Sequence, residues 1–236
     1  MGDWFTPRIL LSVALLAGCS SEPLTEDDPS AEPAAEGRVV EVVGGEAGTP
    51  PVAINAQPSY PAGPYGKAEG ATIANLSFVG WHDPTAAGYD VSKFETVRLS
   101  DFYNPTQSAD RPRVLVLNSS AVWCTVCRAE YTHLSRDQIY ANYRPKGIEI
   151  LGVLFEDNDG FSARPSDLTA WSDAFKVPFP MALDPGFKSG VYFDSDATPM
   201  NMIIDTSNMK ILDVTMGFDA TTPAQYWASI EKWLSR

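Results

Sequence analysis

The stretch Val114-Leu115-Val116-Leu117, followed by Trp123-Cys124-Thr125-Val126-Cys127, decides the fold and the chemistry of this chain. Four consecutive apolar residues predict a buried strand, and the two cysteines that follow it fall on the first turn of a helix. A helix N-terminus stabilises a thiolate through its unpaired backbone N–H groups and its macrodipole. Cys127 lies one turn after Cys124, close enough to close a disulfide with it. The pattern therefore predicts two thiols that make and break a disulfide.

Two other interpretations of the cysteine pair stay open, namely a static structural disulfide and one half of a metal site. The chain has two histidines, His82 and His133. Neither stands in metal-ligand spacing, so we predict no metal site. His82 lies in a turn and His133 on the helix after the cysteines, and both are predicted to be surface or boundary residues.

The composition is that of a globular protein, with 236 residues, 44% hydrophobic and 11% aromatic. The formal net charge of -13 argues against nucleic acid or an anionic membrane surface as a partner, because both select basic patches. Part of this acidity lies in a Pro/Ala-rich stretch between Glu22 and Glu36, which is typical of a solvated, disordered segment.

The N-terminus predicts export. An apolar stretch after a single arginine suits a secretory signal and is too short to span a bilayer. It ends in Leu16-Ala17-Gly18-Cys19, which resembles a bacterial lipobox. We therefore predict a lipoprotein signal peptide over 1–18, lipidated Cys19, an acidic disordered tether over 19–58 and a folded domain over 59–236. The alternatives are an ordinary signal cleaved after Gly18 and a cysteine that stands there by chance. Export suits a dithiol, since disulfides persist in oxidising compartments.

The order of elements predicts an α/β fold with a mixed central sheet flanked by helices. A short N-terminal strand pair extends this sheet. The predicted strands are 76–81, 96–99, 113–118, 148–155, 181–183, 200–204 and 210–215. The predicted helices are 124–143, 166–175 with Ser166 as N-cap, 187–192 and 223–234.

From about residue 75 onward the chain resembles the thioredoxin-like proteins, and among them the membrane-tethered thiol–disulfide oxidoreductases related to TlpA and ResA. The strand and active-site signature carries the first match, from Leu99-Ser100-Asp101-Phe102 through Cys127-Arg128-Ala129-Glu130. Val177-Pro178-Phe179-Pro180 before Leu183-Asp184 carries the second, and Ala197-Thr198-Pro199 before a strand carries the third. The fold implied is thioredoxin-like.

The resemblance implies a role for each site residue. Cys124 is the attacking thiol, with its sulfur expected to be exposed at the helix start, and Cys127 is the resolving thiol, shielded by the helix. Pro199 is a cis-proline against the two sulfurs, and the backbone of Thr198 pairs with an extended substrate. Glu130 is the carboxylate that manages the proton on Cys127, with a pKa raised by burial.

Three of these positions keep an alternative. Pro199 also fits an ordinary loop proline ahead of a strand, and Glu130 a solvent-facing helix acid. Trp123 either stacks on substrates or packs beside the site. The general thioredoxin pattern has a buried acid where this chain has Asn118.

We therefore predict an extracytoplasmic thiol–disulfide oxidoreductase that acts as a reductase. It needs no cofactor beyond the Cys124–Cys127 couple. Its expected partners are exported disulfide-containing proteins, a membrane thiol electron donor and the membrane itself through Cys19, and it is expected to be monomeric. Ser20 after the lipidated cysteine favours the outer over the inner membrane.

The alternatives are a disulfide oxidase or isomerase, or a non-catalytic module that binds copper(I) or a partner through the thiols. Copper chaperones of this fold add a distant histidine, and no histidine follows His133. A peroxiredoxin would need a threonine where this chain has Ala121. Thr125-Val126 lacks the proline common between the family's cysteines, so the direction of electron flow is open.

Overall fold

The computed structural model describes residues 59–193 and 195–234. The predicted signal peptide over 1–18, lipidated Cys19 and the tether over 19–58 lie outside the described residues. Within the described residues, no helix has the length and apolarity needed to cross a bilayer.

A seven-stranded mixed sheet forms the centre of the domain, in the order β2-β1-β5-β4-β3-β6-β7. The strands are β1 (Ser77–Trp81), β2 (Glu95–Arg98), β3 (Val114–Ala121), β4 (Ile148–Glu156), β5 (Met181–Leu183), β6 (Met200–Asp205) and β7 (Lys210–Met216). The predicted thioredoxin-like α/β fold is confirmed.

β3 is the strand that carries the site, and all eight of its residues are buried. It pairs in parallel with β4 and antiparallel with β6, so both of its edges are hydrogen-bonded. A strand buried on both faces reads as a continuous apolar run, which is why Val114–Leu117 was recognisable from sequence. The β3–β6 register places Asn118 directly opposite Asn201.

Five α-helices flank this sheet within the described residues: α1 (Pro84–Ala87), α2 (Thr125–Arg136), α3 (Ile139–Tyr143), α4 (Pro165–Phe175) and α5 (Pro223–Glu231). Short 3-10 helices cover Val91–Lys93, Leu99–Phe102, Arg144–Lys146, Lys188–Val191 and Ser195–Ala197.

Four helix predictions differ from the structure. The helix predicted over 223–234 ends at Glu231, and the one predicted over 187–192 is a 3-10 helix over Lys188–Val191.

The other two helix predictions are wrong in detail. The single helix predicted from Cys124 to Tyr143 is broken between α2 and α3, because Gln138 adopts a left-handed conformation with φ of 60°. Ser166 is not the N-cap of α4. Arg164 holds that position, and the Asp167 carboxylate accepts its backbone N–H at 2.9 Å.

The predicted N-terminal extension is a strand pair at one edge of the sheet. β1 pairs antiparallel with β2 and with β5, and so joins the extension to the central strands. Residues 70–73 lie at the opposite edge of the sheet, where they pair with the start of β7. There the Gly70 N–H donates to the Ile211 carbonyl at 2.8 Å, the Ile211 N–H to the Ala71 carbonyl at 2.9 Å, and the Ile73 N–H to the Met209 carbonyl at 3.0 Å.

His82 ties the extension together electrostatically. Its Nδ1 lies 2.8 Å from Glu95 Oε1 and its Nε2 lies 3.0 Å from Asp101 Oδ2. Burial lowers the pKa of His82, but the hydrogen bonds to Glu95 and Asp101 outweigh burial and raise the pKa above its usual range.

We expect His82→Gln to destabilise the protein more in mild acid than in alkali. A raised folded-state pKa gives stability that is fully present below the unfolded pKa of about 6.5 and is lost as the pH rises through the folded pKa. Because His82 and its two carboxylate partners are partly exposed, the loss of stability should stay below about 1 kcal/mol. Urea denaturation of the full chain on both sides of neutrality measures it. In a Glu95→Gln, Asp101→Asn background the pH dependence of the effect should disappear; if it persists, the carboxylates are not its cause.

Candidate active site

Strand β3 delivers the cysteine pair to the start of α2, where Cys124 is the N-cap residue. The backbone N–H of Cys127 points at Cys124 Sγ, 3.0 Å away. The two cysteines are disulfide-bonded, with Cα atoms 5.3 Å apart. The backbone donor thus lies where negative charge would develop on the Cys124 sulfur once the disulfide is reduced.

Cys124 is less exposed than the sequence suggested. Its exposed fraction is 4%, against 0% for Cys127. The expectation of an openly exposed Cys124 sulfur is therefore wrong for this oxidised state. The loop before β6 covers the pair, with the Thr198 carbonyl oxygen 3.8 Å from Cys124 Sγ and Thr198 Oγ1 3.4 Å from Cys127 Sγ.

The Thr198–Pro199 peptide bond is cis, in the loop where the sequence placed it. Two hydrogen bonds fix this loop on the sheet. Thr198 Oγ1 donates to the Ser119 carbonyl at 3.2 Å, and the Gly217 N–H donates to the Pro199 carbonyl at 2.7 Å. The loop is thereby fastened to the end of β3 and to the residue after β7, beside the disulfide.

Glu130 is buried on α2, one turn after Cys127, with 1% of its surface exposed. The alternative interpretation of Glu130 as a solvent-facing helix acid is therefore excluded. Burial raises its pKa to about 7, although hydrogen bonds from Asn201 and Asn118 act in the opposite direction. An acid with a pKa near 7 changes protonation in the range where thiol exchange takes place, which suits a proton acceptor.

Trp123 stands at the rim of the site, 38% exposed. Its indole Nε1–H donates to Glu156 Oε2 at 2.7 Å, so the ring is held at the end of β4 and still reaches solvent. Val126, between the cysteines, is 40% exposed. The side chains next to the disulfide thus include exposed apolar surface that a client chain could contact.

The described part of the chain places no set of metal ligands around the sulfurs. Within residues 59–193 and 195–234, no group of three or more histidine, cysteine or acidic side chains is placed to hold an ion. His133 is engaged instead with Asp137, whose Oδ2 lies 2.7 Å from His133 Nδ1.

The sequence reasoning missed Asn201 entirely. Asn201 Nδ2 donates to Glu130 Oε1 at 2.7 Å, across 71 positions of the chain. Asn118 was recognised as a departure from the thioredoxin pattern but not as a partner of Glu130, to whose Oε2 it donates at 2.7 Å. The only signal for Asn201 was a polar residue inside the apolar run from Met200 to Ile204.

A thioredoxin-type sheet with a disulfide-bonded C-x-x-C pair at a helix start defines the class of thioredoxin-fold redox proteins. The pattern of the AhpC/TSA family matches residues 84–211, more than half of the chain. The chain belongs to this family, and the match together with the close cysteine pair makes it an oxidoreductase.

Solved structures share the fold. A candidate thiol:disulfide interchange protein DsbE from Chlorobium tepidum is 21% identical with a TM-score of 0.53, covering 72% of this chain and 99% of its own. A candidate protein disulfide isomerase from Bacteroides thetaiotaomicron is 19% identical with a TM-score of 0.52, covering 72% and 91%. The AhpC of Enterococcus faecalis is 16% identical with a TM-score of 0.50, covering 70% and 90%. No curated protein matches the sequence.

Proposed function

We propose that this protein is an extracytoplasmic thiol–disulfide oxidoreductase that reduces disulfides in exported proteins. One observation carries the proposal: the Cys124–Cys127 disulfide sits at the N-terminus of α2 with the Thr198 carbonyl 3.8 Å from Cys124 Sγ. In this arrangement an extended client can approach the Thr198 backbone while its sulfur meets Cys124.

The proposed reaction consists of two exchanges. In the reduced protein, the Cys124 thiolate attacks one sulfur of a client disulfide; a bond forms between Cys124 and the client, and the other client sulfur leaves as a thiolate that takes up a proton. Cys127 then loses its proton to Glu130 and attacks Cys124 Sγ. The mixed disulfide breaks, the second client sulfur leaves as a thiolate that takes up a proton, and Cys124–Cys127 is oxidised while the client is reduced.

Trp123, Thr198 and Pro199 are proposed to contact the client. Thr198 offers its backbone, Pro199 fixes the loop against the sulfurs, and the exposed part of the Trp123 ring supplies apolar contact. The redox couple itself requires no further cofactor. A membrane thiol donor is proposed to return electrons to the disulfide after each turnover.

The proposed location is the cell envelope, with the lipid on Cys19 as anchor and the outer membrane favoured by Ser20. The support is the lipobox-like sequence and the export signal ahead of it. Fatty-acid labelling that Cys19→Ser abolishes tests the anchor, and fractionation of the two membranes tests the sorting. The same membrane extracts, run on a native gel, test the proposed monomer.

The direction of electron flow is tested by equilibrating the protein with glutathione buffers. A reductase is expected to have a reduction potential near the thioredoxin end of the range of about -270 to -120 mV, and to reduce insulin. A potential near the upper end would instead indicate an oxidase or isomerase. Tight copper(I) binding without any disulfide exchange would indicate a binding module. Peroxidase activity is not expected, because a peroxiredoxin needs a threonine hydroxyl at the position where this chain has Ala121.

We expect Glu130→Gln to slow the second exchange by about 10²-fold near neutral pH, because the variant cannot accept the Cys127 proton. Stopped-flow reaction of the reduced full chain with Ellman's reagent separates the steps. Attack by Cys124 releases the first thionitrobenzoate, and attack by Cys127 releases the second. In the wild type the second phase should slow as the pH falls through about 7, since Glu130 then becomes protonated.

Asp137→Asn provides the matched control, because Asp137 is an exposed acid just after the end of the same helix. Its second phase should keep the wild-type rate and pH profile. The double variant Cys124→Ser, Cys127→Ser reports any thiol at Cys19, and its signal is subtracted. An unchanged second phase in Glu130→Gln would remove Glu130 from the mechanism.

A further inference from the structure

We propose that the side-chain amides of Asn118 and Asn201 together hold Glu130 as a carboxylate and thereby keep a proton acceptor ready for Cys127. This inference rests on the proposed function, because it assigns positioning residues to the step in which Cys127 resolves the mixed disulfide. Neither asparagine touches a sulfur atom in the contacts described, so both are positioning residues that act through Glu130.

The hydrogen bonds around Glu130 all run in one direction. Asn118 Nδ2 donates to Glu130 Oε2 at 2.7 Å, and Asn201 Nδ2 donates to Glu130 Oε1 at 2.7 Å. Both carboxyl oxygens therefore accept. An ionised carboxylate is an acceptor only, whereas a protonated one must donate from one oxygen. The arrangement suits the ionised form.

The two amides also fix each other. Asn118 Nδ2 donates to Asn201 Oδ1 at 2.9 Å, and Asn118 Oδ1 accepts from Ser120 Oγ at 2.9 Å. With its oxygen bound to Ser120, the Asn118 amide keeps its NH₂ group toward Glu130. Donating a proton from Glu130 would require one amide to turn its oxygen inward and to give up these partners.

The strand register explains how residues so far apart in sequence form one unit. Asn118 on β3 and Asn201 on β6 are directly paired positions, so their side chains lie on the same face of the sheet. Glu130 is on α2, which follows β3 after the cysteine turn. The buried carboxylate is thus held between the active-site helix and the two strands that flank the disulfide.

The titratable groups near Glu130 come from two helices. On α2 these are Tyr131 and, once the disulfide is reduced, Cys127 one turn before Glu130; on α5 the group is Tyr226. Burial and the charge of Glu130 raise the pKa of both tyrosines, and Asp213 of β7 adds to the effect on Tyr226, so both phenols stay protonated across the working range. The groups that β3 and β6 place on Glu130 are the two neutral amides.

Burial raises the pKa of Glu130, and the two amide hydrogen bonds lower it. When either amide is removed, only one hydrogen bond is left to lower the pKa. The acid limb is the fall in the rate of the second Ellman's phase as the pH drops through the pKa of Glu130. We expect Asn118→Ala and Asn201→Ala each to move the midpoint of this limb upward by about one pH unit. For a group that titrates near 7, this shift lowers the ionised fraction at pH 7 about fivefold, and the second phase slows to match. The first phase should not change, because Cys124 attacks without Glu130.

Asn201→Thr is the conservative variant, since a threonine hydroxyl can donate to Glu130. It should recover part of the shift, and it also tests the proposal if an alanine variant fails to fold. Asn104→Ala is the matched control. Asn104 is equally buried, but its amide donates to the Ser108 and Pro112 carbonyls and has no contact with Glu130. Its pH profile should equal that of the wild type.

The outcomes separate this inference from the proposed function. If Glu130→Gln removes the acid limb but neither asparagine variant moves it, the inference fails and the role of Glu130 stands. If Asn104→Ala moves the limb as far as the other variants, the effect is general destabilisation and the inference also fails. If Glu130→Gln leaves the limb in place, the assigned proton acceptor itself is wrong. Infrared titration of the Glu130 carboxyl in the wild type gives an independent readout, and a carboxyl still protonated well above pH 7 would contradict the inference.

Discussion

Cys127→Ser is expected to trap client proteins on Cys124 and to lower turnover by at least about 10³-fold, because the resolving thiolate is gone and the mixed disulfide persists. Cys127 is fully buried, whereas the sulfur of Cys124 faces the Thr198 carbonyl. Non-reducing electrophoresis of envelope extracts, before and after dithiothreitol, measures the trapped complexes.

The matched control is Cys124→Ser, which should lose turnover to the same extent and trap nothing. The two variants remove the same disulfide and differ only in which sulfur remains. Trapping by Cys124→Ser and not by Cys127→Ser would reverse the two roles. Full insulin reduction in both variants would mean that the disulfide is structural.

Gly80→Ala is expected to destabilise the domain by about 3 kcal/mol, by forcing β1 away from β5. A Cβ on Gly80 would overlap the Met181 carbonyl oxygen and would lie 2.5 Å from Ala182 Cα and 2.8 Å from Ala182 Cβ. Two of these atoms belong to the backbone, so no side-chain rotation relieves the overlap. Urea denaturation of the full chain, followed by tryptophan fluorescence, measures the loss.

Gly186→Ala is the control for this prediction. A Cβ at Gly186 meets no atom within 4 Å, so the free energy of unfolding should change by less than about 0.5 kcal/mol. If Gly80→Ala unfolds at the same urea concentration as the wild type, β1 does not pack against β5 as closely as the structure has it.

The parts of the fold that could be predicted from the sequence are those with local signals. The apolar run of β3 and the C-x-x-C pair marked the strand, the start of α2 and the reactive sulfurs. The family match and the fold confirm the thioredoxin-like interpretation. The predictions for Cys19, the tether and the roles of the site residues remain predictions.

The break after α2 and the partners of Glu130 could not be predicted, for two different reasons. Asp137-Gln138 contains neither glycine nor proline, so the left-handed residue that ends the helix run carried no signal. The contact between Asn118 and Asn201 depends on the register of β3 against β6, across 83 positions. Register follows from the packing of the whole sheet and leaves no mark at either residue.

The three backbone hydrogen bonds between residues 70–73 and the start of β7 have a practical consequence for expressing the domain. The AhpC/TSA pattern begins at residue 84, yet the fold already uses Gly70 to cover an outer strand. A truncated version starting at residue 84 would leave the amide of Ile211 and the carbonyls of Met209 and Ile211 bare, as well as removing β1. Bare strand edges recruit other strands, so such a fragment should self-associate, whereas one that starts at Ser59 should stay dispersed.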